Sequence, residues 1–117
     1  MKTLIILNDP PYGTERCYNG LRLAHALAKA DAANVVTVFL MADAVAAAKA
    51  GQKTPDGYYN MERMLKRVVS SKGEVLLCGT CMDARGLSDA DMMEGSRRST
   101  MDELAANTIA ADKVLVF

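Results

Sequence analysis

Short apolar runs that do not alternate with polar residues constrain this chain more than any other feature. They occupy residues 3–7, 35–40, 74–77 and 114–117. Unbroken hydrophobicity of strand length suits a parallel strand buried on both faces, and parallel strands need long, usually helical crossovers. The segments between the runs supply them. Cys17, Gly20, Leu21, Ala24, Leu27 and Ala28 recur at three-and-four spacing, which predicts a helix from Glu15 to near Asp31, with Thr14 as its cap. After the second run, Asp43 is the expected cap of a short alanine-rich helix that stops at Gly51. Met61, Met64, Leu65, Val68 and Val69 mark the face of the next helix, with Gly73 as its stop. Ser88 opens a short turn or helix through Asp91, and the stretch from Met92 to Thr100 has room for a very short strand. Thr100 and Glu103 have capping-box spacing, followed by a helix face of Met101, Leu104, Ala105, Thr108 and Ile109. The alternation predicts an α/β protein with helices on both faces: a three-layer α/β/α sandwich with a mainly parallel sheet of four to five strands.

At 117 residues the chain is expected to form a single domain, residues 1–117. Fourteen Lys and Arg balance fourteen Asp and Glu, so no net field draws the chain to nucleic acid or an anionic membrane. Zero net charge also offers little resistance to self-association, which suggests a homo-oligomer. The apolar core at the start is too short for a signal peptide, and no stretch has the length of a membrane span. A cytoplasmic location is the expectation. An odd count of three cysteines, two of them in a strand-to-helix corner, favours thiol or metal chemistry over a structural disulfide. The polar loop over 51–60, with a Pro-Asp-Gly turn at residues 55–57, is a candidate lid.

In open parallel sheets ligands gather beyond the carboxyl ends of the strands. The segments 8–14, 41 onward and 78–85 leave strands at that edge, and near-neighbour first and third strands would bring Tyr12, Gly13 and Cys78 to one rim. Cys78 ends the third run just before a predicted helical turn. Backbone N–H groups at a helix N-terminus favour the thiolate, the reactive form of cysteine, and Arg85 can add a full positive charge. The competing reading makes Cys78 a small buried hydrophobe. Cys81 turns the pair into Cys-x-x-Cys, open to a redox disulfide, half of a zinc site or a resolving thiol. Zinc fits worst, because Cys17 and His25 are the remaining soft ligands and His25 lies roughly 15 Å along its helix from the rim. No metal is therefore expected, His25 reads as a helix-surface or partly buried side chain, and Cys17 as part of an apolar stripe. A thioredoxin-type role is disfavoured by the absence of Trp and by the motif falling in the third strand unit. The loop over 8–13 can bind an anion through backbone N–H groups, although Pro10 and Pro11 remove two of them.

Taken in order, Asn8-Asp9-Pro10-Pro11-Tyr12-Gly13-Thr14, Phe39-Leu40-Met41-Ala42-Asp43-Ala44-Val45, Leu77-Cys78-Gly79-Thr80-Cys81-Met82-Asp83-Ala84-Arg85-Gly86-Leu87 and the ending Ala111-Asp112-Lys113-Val114-Leu115-Val116-Phe117 resemble the DsrE/DsrF-like proteins, in particular their YchN-like branch. The resemblance covers essentially the whole chain. It implies a parallel five-stranded α/β/α fold and assembly into trimers or hexamers. It also implies a persulfide carried on a cysteine at the end of the third strand, for which Cys78 is the matching position. Tyr12, Gly13, Gly79, Thr80 and Arg85 would line the pocket for the anionic persulfide. No resident cofactor is expected beyond that transient persulfide, and the implied partners are sulfur donor and acceptor proteins. Many relay members lack a second cysteine, so the resemblance leaves the role of Cys81 open. Other readings remain beside it: an oligomeric small-ligand-binding or regulatory protein with redox-sensitive cysteines, and a dithiol oxidoreductase.

Overall fold

The computed structural model describes residues 1–55 and 59–117. Among these residues, five strands form one sheet: β1 (Lys2–Leu7), β2 (Val35–Leu40), β3 (Glu74–Cys78), β4 (Ser96–Ser99) and β5 (Lys113–Val116). Their spatial order is β4-β3-β2-β1-β5 and every neighbouring pair is parallel. Four α-helices connect them: α1 (Arg16–Ala30), α2 (Met61–Ser70), α3 (Gly79–Ala84) and α4 (Met101–Ala110). The chain steps in one direction from β1 to β3, so right-handed crossovers put α1 and α2 on one face. The step from β4 back to β5 reverses direction and puts α4 on the other. Accordingly α1 packs on α2, β1 and β2, α2 packs on β3, and α4 touches β1. The expected three-layer α/β fold is the one observed. β1 and β3 flank β2, so the loops that follow all three leave the same stretch of the carboxyl edge.

The core lies mainly between the sheet and the α1/α2 layer. Leu21 and Ala24 of α1, Met61, Leu65 and Val68 of α2, and Val36, Val38 and Val75 of the sheet are buried. The α4 side is covered less. Of the apolar face expected for α4, only Leu104 is buried, while Met101 is 59% and Ile109 86% exposed. The edge strand β5 is the expected final apolar strand, and its Val114 and Val116, in register with Leu4 and Ile6, are exposed. The periodicity is real, but the described residues leave these side chains exposed.

Several local expectations change. Thr14 does not cap α1: its hydroxyl donates to Asp9 Oδ2 at 3.2 Å, and Glu15 stands at the cap position without a side-chain bond. The alanine-rich segment is a 3₁₀ helix over Ala42–Ala48, begun by Met41 rather than by Asp43, which pairs with Arg85 instead. Four small side chains there, Ala44, Val45, Ala47 and Ala48, are all buried, which favours the tighter coil against the core. Lys72, at φ 65°, takes the left-handed position after α2 that was assigned to Gly73. Gly73 serves close packing: a Cβ there would lie 2.6 Å from the Val36 carbonyl oxygen. The Thr100 hydroxyl accepts the Glu103 N–H at 3.2 Å, half of the expected capping box. The reciprocal half is lost because the Glu103 carboxylate takes Arg97 and Ser99. The short strand expected before Thr100 is β4. Of the proposed Pro-Asp-Gly turn, Asp56 and Gly57 lie outside the described residues.

Candidate functional site

β3 is buried from Val75 to Cys78 and delivers Cys78 to the cap position of α3, with only 6% of its surface exposed. Its Sγ lies 3.3 Å from Thr80 Oγ1. The Thr80 and Cys81 backbone N–H groups and the Cys81 thiol are near enough to favour its anion. Burial is the largest single influence and would raise the Cys78 pKa. The hydrogen bonds together outweigh it and hold this thiol below its ordinary value. Cys81 moves the other way. Burial and the neighbouring Cys78 raise it, against the Ala42 N–H, which donates to Cys81 Sγ at 3.2 Å, and the Arg85 charge. The two thiols are thus unequal, with Cys78 the better thiolate. Ala42 reaches Cys81 from a left-handed backbone, φ 48°, a conformation that costs a non-glycine residue about 1–2 kcal/mol. Cys17 is different in kind. Fully buried, with its thiol donating to the Asp9 carbonyl at 3.1 Å, it is pushed up to about 11 by burial and by the Asp9 charge.

Arg85 was the expected cation for Cys78. The structure commits it elsewhere: Nε donates to Asp43 Oδ1 at 2.8 Å and the guanidinium also donates to the Cys81 carbonyl at 3.0 Å. That clasp ties α3 to the 3₁₀ helix after β2. The cation beside Cys78 is Arg98 of β4. A Cβ on Gly79 would lie 2.7 Å from Arg98 Nε and 2.8 Å from its Cζ, so glycine after the cysteine is what lets the guanidinium settle there. Asp83 holds it with two parallel bonds of 2.8 and 2.7 Å, and the Cys78 charge favours its protonated form. Sequence spacing gave no signal for Arg98, because a parallel β4 brings it alongside Leu77 from twenty-one positions away. Gly79 and Thr80 stand where expected, next to Cys78.

Tyr12 and Gly13 are placed apart from the thiols. The Tyr12 hydroxyl bonds Gln52 Oε1 and accepts the Met61 N–H at 3.2 Å, and the concavity it lines with Gly13 and Tyr59 includes neither Cys78 nor Cys81. The described parts of the candidate lid are fastened: Gln52 donates to the Ala47 and Lys49 carbonyls, and the Gly51 and Gln52 N–H groups reach Glu62 at 3.0 Å. His25 sits half-buried with Nε2 2.8 Å from the Met64 carbonyl, so it joins α1 to α2. Among the described residues, no three His, Cys, Asp or Glu side chains are grouped to hold a metal, and no helix is long and apolar enough to cross a membrane.

A five-stranded parallel sheet with an activated cysteine where β3 meets a short helix defines a class of small thiol-bearing α/β proteins. The comparisons place the chain within it. The DsrE/DsrF-like family model matches residues 1–117, and the protein belongs to that family. Protein YchN of Escherichia coli K12 is 43% identical over 116 residues, covering 99% of this chain and 98% of that protein. An uncharacterized protein of Methanopyrus kandleri is 37% identical over 114 residues, with 97% and 91% covered. The crystal structure of the ychN protein from E. coli superposes with a TM-score of 0.94 at 43% identity, over 100% of this chain and 99% of that one. A protein of unknown function from Methanobacterium thermoautotrophicum shares the fold at a TM-score of 0.77 and 13% identity, with 99% of this chain and 97% of that one covered.

Proposed function

We propose that the protein is a sulfur carrier that holds sulfane sulfur as a persulfide on Cys78. The observation that carries this reading is the environment of that one thiol: buried at the start of α3, 3.3 Å from Thr80 Oγ1, held below its ordinary pKa by the Thr80 and Cys81 groups, with Arg98 nearby. The same features favour a persulfide anion there. Family membership supports a sulfur-relay type of role. In the loading step the Cys78 thiolate attacks the outer sulfur of a donor persulfide, R–S–SH. A sulfur–sulfur bond forms to Cys78, the donor's own sulfur–sulfur bond breaks, and R–S⁻ leaves with the electron pair. An acceptor thiolate repeats the exchange and regenerates the Cys78 thiolate. Donor and acceptor are thiol-bearing proteins or small persulfides, no resident cofactor takes part, and the chemistry belongs to a reducing compartment such as the cytoplasm.

Incubation with a small persulfide donor, then intact-mass and peptide mass spectrometry, tests the reading. The expected product carries one added sulfur on Cys78 and passes it to an acceptor thiol. Undiminished loading of Cys78→Ser, on another residue, sinks it.

The exposed α4–β5 side supports assembly into a homo-oligomer, a trimer or hexamer. Met101, Ile109, Val114 and Val116 leave there an apolar surface that self-association would bury.

A second reading has its own observation, two neighbouring thiols that shift each other in opposite directions. As a dithiol oxidoreductase the protein would pass two electrons and two protons from Cys78 and Cys81 to a substrate disulfide, forming a disulfide of its own. Oxidation with a small disulfide followed by peptide mapping decides it, since a failure to join Cys78 to Cys81 removes this reading.

A further inference from the structure

The seven arginines of this chain fall into two groups. Arg16, Arg85, Arg97 and Arg98 each meet a carboxylate: Asp9, Asp43, Glu103 and Asp83. Arg22, Arg63 and Arg67 meet none among the described residues, and all three line one concavity of about 330 Å³ between α1 and α2. Tyr18, Arg22 and His25 approach it from α1 at one-turn intervals. Asn60, Arg63 and Arg67 approach from the cap and body of α2. Among the described residues, none that is acidic lines it. In a chain of zero net charge, three cations without counter-charges on one concave surface concentrate positive potential that the rest of the molecule does not offset locally.

The same concavity carries flat apolar surface. The Tyr18 and Tyr59 rings lie 4.3 Å apart, Arg22 stacks on Tyr18 at 5.5 Å, and Tyr59 keeps 45% of its surface exposed. Arginine forks recognise phosphate oxygens, and an exposed tyrosine face accepts a stacked heteroaromatic ring. The volume falls at the lower end of the range for small-ligand sites. We propose that the α1–α2 groove binds a phosphorylated small molecule bearing a planar ring, of the nucleoside diphosphate class. Arg63 and Arg67 contact the phosphates, and Tyr59 with the Tyr18–Arg22 stack contacts the ring. This site is separate from the cysteine corner and does not depend on the sulfur-carrier reading, since neither cysteine lines it.

Titration of the full chain with ADP, followed by calorimetry and by amide chemical shifts, tests the proposal. Saturable binding is expected, with shifts concentrated on α1 and α2 and an affinity that weakens as salt is raised. R63Q/R67Q, two exposed positions, is expected to lose at least tenfold in affinity with its thermal unfolding unchanged. Tyr59→Leu is expected to weaken ADP several-fold and pyrophosphate not at all. Cys78→Ser is expected to bind as the parent does, which separates this site from the thiol chemistry. No binding of ADP, or undiminished binding by R63Q/R67Q, overturns the proposal. Pyrophosphate binding as tightly as ADP would remove the ring from it, and a short single-stranded RNA displacing ADP at equal site concentration would replace the small ligand with a polymer.

Discussion

The two cysteines of the corner differ because each side chain is given different partners. The Thr80 and Cys81 groups favour the Cys78 anion, whereas burial and Cys78 disfavour that of Cys81, which accepts the Ala42 N–H. A selective alkylating reagent near neutral pH should therefore modify Cys78 first, Cys81 more slowly and Cys17 only after unfolding, as read by peptide mass spectrometry. Arg98 makes a sharper test, because the spacing of the motif points to Arg85. In Arg98→Gln the midpoint of the Cys78 alkylation–pH profile should move upward. In Arg85→Gln, which loses the clasp to Asp43, the Cys78 midpoint should move less than the Cys81 midpoint. An equal displacement of Cys78 in both variants would deny Arg98 its special position. Gly79→Ala should mimic Arg98→Gln, since the added methyl group occupies the place of the guanidinium.

Among the elements, α2 shows how a charged group can organise a buried layer. Glu62, only 7% exposed, accepts the Gly51 and Gln52 N–H groups and pairs with Lys66 at 3.1 Å. Burial alone raises its pKa, but the Lys66 and backbone hydrogen bonds together prevail and hold the carboxyl below its ordinary range. A folded-state pKa below the unfolded one means that the contribution is complete above the ordinary carboxylate range, near pH ~4.3, and is lost as pH falls through it. Glu62→Ala should cost about 1–3 kcal/mol in urea unfolding at neutral pH, because two backbone donors lose their acceptor. His25 acts in the same sense at higher pH. Burial lowers its pKa, so its share of stability is present above about pH 6.5 and declines as pH falls through the lowered value. Replacing His25 with Gln should flatten that part of the stability–pH curve, measured by unfolding across pH 5 to 7.5 in steps of roughly half a unit.

At the scale of the whole molecule, the sheet is covered unequally. The α1/α2 layer seals one face, while α4 lies over the other and leaves Ile109 and Val116 exposed. Burial of apolar area contributes about 25 cal/mol per Å², so this surface favours association of copies. Sedimentation equilibrium of I109K/V116K should show a lower oligomeric state than the parent, with unchanged circular dichroism. An unaltered state would direct the search for the interface elsewhere.

The amino-acid sequence by itself determined the strand runs, their parallel sense, the helical crossovers and the position of Cys78 at a strand end. These follow from local periodicity and chain connectivity, which act over a few residues or one crossover. It also exposed the weak points of local reasoning. The apolar face of α4 follows from periodicity, which reports amphipathicity and not what covers the face. The alanine-rich segment was read as an ordinary helix, although burial of four small side chains decided its tighter winding. Only the tertiary structure decided which cation stands beside Cys78, how the two thiols differ, and where the arginines with no carboxylate partner among the described residues gather. Each of these depends on residues brought together across the sheet or across a helix pair. Hydrogen bonds and charges act over a few ångströms of space, and sequence distance alone does not reveal those contacts.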